Sequence, residues 1–131
     1  MDEMDTDEIR IIVAGSRTFQ DFSLLCLELD ALLAQYPGLR PVIISGGARG
    51  ADSLGVEYAS LVGCESVIFP AKWDLYGKSA GFIRNQEMLR YACSHNAIPY
   101  LVAFWDGESK GTSHMIRIAA KEGVQYKVIK F

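Results

Sequence analysis

"RPVIISGGARGADSLGVEYASLVG", residues 40–63, decides the fold. It begins with the β-branched run "PVIIS", of the kind a strand buried on both faces carries. It ends with "ADSLGVEYASLVG", where Ala51, Leu54, Tyr58, Ala59 and Val62 recur at helical spacing and share one face of a helix that Gly63 terminates. Between them lies "SGGARGAD", with Gly46, Gly47 and Gly50 around Arg49 and Asp52. A strand that runs into a helix through such a turn is one unit of a parallel sheet. The turn itself can simply bend the chain or can hold a ligand.

The same alternation extends in both directions. "IRIIVAG" (residues 9–15) is a first strand, and "DFSLLCLELDALLAQYPG" is a helix with Leu24, Leu25, Cys26, Leu29, Leu32 and Leu33 on its apolar stripe. "ESVIFPA" gives a third strand, "SAGFIRNQEMLRYACSHN" a helix capped by Ser79, and "IPYLVAFW" a fourth strand. "GTSHMIRIAAKEG" is a helix with Thr112 or Ser113 as cap and Gly123 as stop, and "VQYKVIKF" is the fifth strand. Five strands alternating with four helices predict a mainly parallel α/β sheet covered by helices on both faces. No repeat, low-complexity segment or linker divides it, so residues 9–131 read as one domain.

Half the 131 residues are apolar and 22% are charged, which is ordinary globular composition. No apolar run nears the roughly 18 residues that span a bilayer, and no basic-then-apolar leader opens the chain. Cys26, Cys64 and Cys93 are an odd number without CxxC or CxxH spacing, so they read as reduced, mostly buried thiols. Together these predict a cytoplasmic protein without a membrane partner. The net charge of −3 owes much to "MDEMDTDE", whose five acids read as a disordered tail over residues 1–8. Without it, 13 basic residues face 16 − 5 = 11 acidic ones, a near-neutral body whose charge does not single out nucleic acid as partner.

In a parallel sheet of this kind the ligand lies beyond the carboxyl ends of the strands, near the point where strand order reverses. The loops at that end are "GSRTF", "SGGARGAD", "PAKWDLYGKSAG" and "WDGESKGTS", all with glycines and polar or charged side chains. "SGGARGAD" opens a helix, whose N-terminus carries unpaired N–H groups and about half a positive charge, so Ser45, Gly46, Gly47, Arg49 and Gly50 form a candidate anion cradle. Arg17, after Gly15 and Ser16, can grip a phosphate bidentately, and Ser16 can add a hydroxyl. Asp52 can complement the helix dipole, bind a ribose hydroxyl or act as a base. Trp73 and Tyr76 suit stacking on a base and equally suit pinning a long loop.

Arg84 and Asn85 either face the loop cluster or form a solvated helix face, while Gly111 and Thr112 offer a second anion or ribose contact or belong simply to a capped helix start. Neither His95 nor His114 has an acid or cysteine at triad or ligand spacing, so neither takes a role; no metal site and no cofactor are expected. The chain lacks GxxxxGK[ST], and its first strand turns through "GSRTFQ" where a dinucleotide-binding strand has GxGxxG. Both absences argue against a P-loop NTPase and a standard NAD-dependent dehydrogenase.

The succession "AGSRTF", "SGGARGAD", "PAKWDLYGKSAGFIRNQEML" and "DGESKGTSHMI" resembles the SLOG superfamily, which unites the DprA/SMF proteins with the LOG phosphoribohydrolases. It is most similar to the small single-domain branch of YspA-like or YpsA-related proteins. The resemblance implies a Rossmann-like three-layer sandwich with strand order 3-2-1-4-5 that binds nucleotides or nucleotide-derived ligands. It implies the first loop at Gly15, Ser16 and Arg17, the phosphate loop at Gly46, Gly47, Arg49, Gly50 and Asp52, and a helical pair at Arg84 and Asn85. LOG enzymes hydrolyse an N-glycosidic bond with a PGGxGTxxE loop; here Ser45 replaces the proline and Ser53 stands at the glutamate. Asp52 and Glu57 are the nearest acids and the candidate catalytic residues. The expected activity is binding, sensing or processing of a nucleoside monophosphate, ADP-ribose or NAD derivative. The alternatives are a single-stranded DNA-binding module, as in DprA, and a regulatory or homo-oligomer-forming domain without catalysis.

Overall fold

The structure, a computed structural model, describes residues 7–131. Residues 1–6 of the expected acidic tail therefore lie outside the described residues, and Glu8 is already the first residue of a strand. The elements are β1 (Glu8–Gly15), α1 (Phe22–Ala34), β2 (Arg40–Ser45), α2 (Ala51–Val62) and β3 (Glu65–Ile68). A short α3 (Trp73–Tyr76) and a 3-10 turn (Gly77–Ser79) lead into α4 (Ala80–Ala92), followed by β4 (Ile98–Trp105), α5 (Lys110–Lys121) and β5 (Gln125–Lys130). Every strand pairing is parallel and the order is β3-β2-β1-β4-β5, as expected.

The two-residue period of β1 sorts the core into two layers. Ile9, Ile11 and Val13 pack with Leu25, Leu29 and Leu32 of α1 and with Ala51, Tyr58 and Ala59 of α2. Ile12 and Ala14 face the other way, onto Met88, Leu89 and Ala92 of α4 and Met115 and Ala119 of α5. Helices therefore cover both faces. Val62, expected on the apolar stripe of α2, is 46% exposed in its last turn, above a largely exposed edge strand of four residues. Of the three thiols, Cys26 and Cys64 are half-buried and Cys93 is exposed, a correction to the expectation of general burial. Among the described residues no helix is long and apolar enough to cross a membrane.

Two caps differ from the sequence expectation. The last helix begins at Lys110 with Ser109 in the cap position, three residues ahead of Thr112. The cause is Asp106, whose Oδ1 accepts from the amides of Glu108 and Ser109 and turns the chain into the helix early. Ser79 precedes α4 but makes no side-chain cap bond, because the 3-10 turn already brings it in with helical dihedrals. At the opposite end of the sheet, buried Arg10 donates to Glu8, Tyr91 O and Ser94 Oγ and lies 4.2 Å over the Tyr91 ring. It thereby ties β1 to the C-terminal end of α4.

Candidate functional site

After β3, at one edge of the sheet, the chain returns through α4 to β4 on the far side of β1, so the loops following β1 and β4 diverge. A crevice at such a switch point is where open α/β sheets hold ligands. Here it is a cleft of about 300 Å³ lined by Gly15, Arg17, Asp52, Trp73, Arg84 and Asn85 on one side and by Gly111 and Thr112 on the other. A second hollow of about 370 Å³ adjoins it; Gly46, Gly47 and Arg49 line it, and it shares Arg17, Ala48, Trp73 and Arg84 with the first.

The serines at the strand ends are braces. Ser16 is buried, and its Oγ accepts from the amide of Asp106, which joins the loops after β1 and β4. Ser45 Oγ donates to the carbonyl of Asp52 at 2.8 Å and accepts from the amide of Gly47. Gly50 is the cap residue of α2 at φ 78°, and a Cβ there would sit 2.7 Å from Arg17 Cα. Its lack of a side chain lets the first two loops close on each other. Glu57 is exposed on α2; burial, then Asp30 and then Glu57 raise the pKa of Cys26, so Glu57 faces α1 and lies outside both hollows.

Asp52, only 7% exposed, is the acid at the floor of the cleft. Its Oδ2 accepts from the amide of Ala48 at 3.2 Å, so the carboxylate occupies part of the cradle that the glycine loop was expected to offer an anion. The Gly47 amide is likewise engaged, by Ser45 Oγ. Burial raises the Asp52 pKa to about 6, while the Ala48 amide and the charges of Arg84 and Arg17 pull it down. A carboxyl group near neutrality can hold or release a proton at physiological pH.

Arg84 reaches this floor from α4. Its Nη1 donates to Gly46 O at 2.8 Å and its Nε to Asn85 Oδ1 at 3.2 Å, and burial lowers its pKa without removing its charge. A Cβ on Gly46 would overlap that guanidinium and fall 2.7 Å from Asp52 Oδ2, so the glycine is what admits the arginine beside the acid. Trp73 is 52% exposed at the mouth, and Tyr76 is exposed on the same short helix.

The structure adds Lys78, Phe82, Met88 and Met115 to the lining. Phe82 and Met88 stand three residues either side of Asn85, and Met115 stands three beyond Thr112. Helical spacing from the predicted site residues was thus a usable signal for them. Lys78 had no such signal, because the local geometry of "YGKSAG" is set by the turn between α3 and α4.

An all-parallel sheet in the order 3-2-1-4-5 with a polar cleft at its switch point defines a Rossmann-like α/β domain. Its family follows from the sequence. The chain belongs to the YspA, cpYpsA-related SLOG family, whose model matches residues 9–76. It is 35% identical over 121 residues to the gene 61 protein of Mycobacterium phage D29, covering 88% of this chain and 91% of that one. Among solved structures it is similar to DNA processing protein A (DprA) of Streptococcus pneumoniae, with a TM-score of 0.47 at 14% identity. That match covers 97% of this chain, which spans 60% of the length of DprA.

Proposed function

We propose that the cleft binds a nucleotide-derived ligand. The observation that carries this reading is a buried carboxyl flanked by Arg17 and Arg84 on the floor of a cleft whose mouth holds the exposed Trp73. Arg17, Arg49, Lys78 and Arg84 are the cations for phosphate, with Gly46 and Gly47 giving it close approach to the backbone. Asp52 and Thr112 suit the ribose hydroxyls, and Trp73 or Phe82 a base face. Where the ligand carries an N-glycosidic bond, Asp52 is the group placed to activate water or stabilise an oxocarbenium-like transition state. Glu57 takes no part in this proposal.

A second reading, single-stranded nucleic acid, has one observation in its favour. Trp73, Tyr76 and Phe82 are exposed together with Lys72 and Lys78, so the one stretch 72–82 presents aromatics interleaved with cations at the mouth of the cleft. A thermal-shift panel of nucleoside mono- and diphosphates, ADP-ribose, NAD and a short DNA oligomer separates the two, with chromatography of any hit for products. The first reading predicts a small-molecule shift that Arg17→Ala abolishes. A shift with DNA alone, falling steeply with salt, replaces it with the second. No shift with any compound refutes both.

A further inference from the structure

We propose that His114 is a positioning residue: as a neutral hydrogen-bond acceptor it holds Asn85, which orients Arg84 in the cleft, and protonation of His114 frees the Nε side of the guanidinium, leaving it on the Nη1 bonds to Gly46 O and Phe69 O. This rests on the reading of the cleft as an anion-binding site.

The roles follow from partners whose chemistry leaves no choice. Asn85, 5% exposed, has three neighbours: Arg84 Nε at 3.2 Å, Gly111 O at 3.1 Å and His114 Nδ1 at 3.1 Å. A guanidinium Nε–H only donates and a peptide carbonyl only accepts, so Oδ1 faces Arg84 and Nδ2 faces Gly111. The second hydrogen of Nδ2 then points at His114 Nδ1, which must be unprotonated. The ring is therefore neutral, with its proton on Nε2. A proton on Nδ1 would set two donors against each other at 3.1 Å. Flipping the amide would relieve that clash only by setting Nδ2 against Arg84 Nε and Oδ1 against Gly111 O.

The surroundings favour the neutral ring. His114 is 8% exposed and packs against the Phe82 ring at 4.4 Å, which separates it from the cleft. Burial and then the charge of Arg117 lower its pKa. Through Asn85 it is also linked to Arg84 on α4. The layer beneath α5 presents the apolar Ile12, Ala14, Leu101 and Ala103 from β1 and β4. On β5, Lys127 is paired with Glu28, and Lys130 packs against Gly107. Both lysines are engaged elsewhere, and Arg117 is a cation, so a proton on His114 meets repulsion as well as a lost acceptor. By linkage, an anion that needs Arg84 in place and a proton on His114 oppose each other.

The test is nitrogen-15 NMR of the ligand-free protein from pH 8 to pH 5, followed by adenosine monophosphate titrations of wild type and His114→Asn. Asparagine offers an acceptor at about the reach of Nδ1 without titrating. The expected result at pH 8 is the Nε2–H tautomer and a slowly exchanging Arg84 Nε–H signal. That signal should fade in wild type as His114 protonates and persist in His114→Asn. The ratio of the two proteins' affinities cancels the titration of the free phosphate. It should increasingly favour His114→Asn as pH falls from 8 to 5, within the limit of about thirtyfold that linkage sets at pH 5 for a pKa lowered from 6.5. An Nδ1–H tautomer at pH 8, or an Arg84 signal indifferent to the protonation of His114, overturns the proposal even if the variant fails to fold. Absence of adenosine monophosphate binding at pH 8 would strike the anion-site reading and leave the NMR result to decide the role of His114.

Discussion

Replacing Asp52 with asparagine should make the protein more stable, and by an amount that depends on pH. The buried carboxyl has its pKa raised from 3.8 to about 6, chiefly by desolvation. Because the folded pKa lies above the unfolded one, its contribution to stability is fully present below about pH 4 and is lost as pH rises through about 6. Two pKa units at about 1.4 kcal/mol each put the destabilisation near 3 kcal/mol at pH 8, and linkage gives about half of that at pH 5. Asparagine keeps an oxygen for the Ala48 amide and leaves the Asp52 main-chain carbonyl, which accepts from Ser45, unchanged. Asp52→Asn should therefore gain about 3 kcal/mol in urea unfolding at pH 8 and about half as much at pH 5. Adenosine monophosphate affinity should fall at the same time, since a charge-assisted hydrogen bond is worth about 1.5–3 kcal/mol. A variant less stable than wild type at pH 8, or a gain identical at pH 5 and pH 8, would refute this reasoning. A stability gain with unchanged affinity would remove Asp52 from the ligand.

Further substitutions probe the rest of the cleft. Gly46→Ala places a Cβ against Arg84 Nη1, a side-chain end that can swing away, so the fold should survive with a loss of about 1–3 kcal/mol while adenosine monophosphate binding disappears in calorimetry. Gly50→Ala combines φ 78° with a collision against the backbone of Ser16 and Arg17, and should cost more in a urea melt than Gly46→Ala. Trp73→Ala should change stability by less than about 0.5 kcal/mol, since the ring is half exposed. It should weaken binding by about 1–3 kcal/mol if a base stacks there, and ligand-dependent tryptophan quenching in wild type reports the same contact. Arg10→Met removes one donor from the Tyr91 carbonyl, which keeps Ser94, and the donor to the Ser94 hydroxyl, along with the contact over the Tyr91 ring, and should lower stability by about 1 kcal/mol with the cleft intact.

Much of this molecule is set by local sequence. β-branched runs of four to eight residues and helical stripes are properties of neighbouring residues, so the alternation of elements, the parallel sheet and the loops that face the ligand end follow from the chain alone. The same holds for the candidacy of Gly15, Arg17, Asp52, Trp73, Gly111 and Thr112, because a loop at the carboxyl end of a strand brings its side chains to one edge. What each side chain does there depends on partners far away in sequence. Ser16 reaches a partner 90 residues on, Arg84 one 38 residues back, and Asn85 one 29 residues on. Only the closed structure turns two serines from ligand candidates into braces, sends Glu57 to the α1 side, fills the glycine cradle with the Asp52 carboxylate and gives His114 a partner. The physical reason is that a hydroxyl, amide or carboxylate taken out of water must satisfy its hydrogen bonds with whatever the tertiary fold sets beside it.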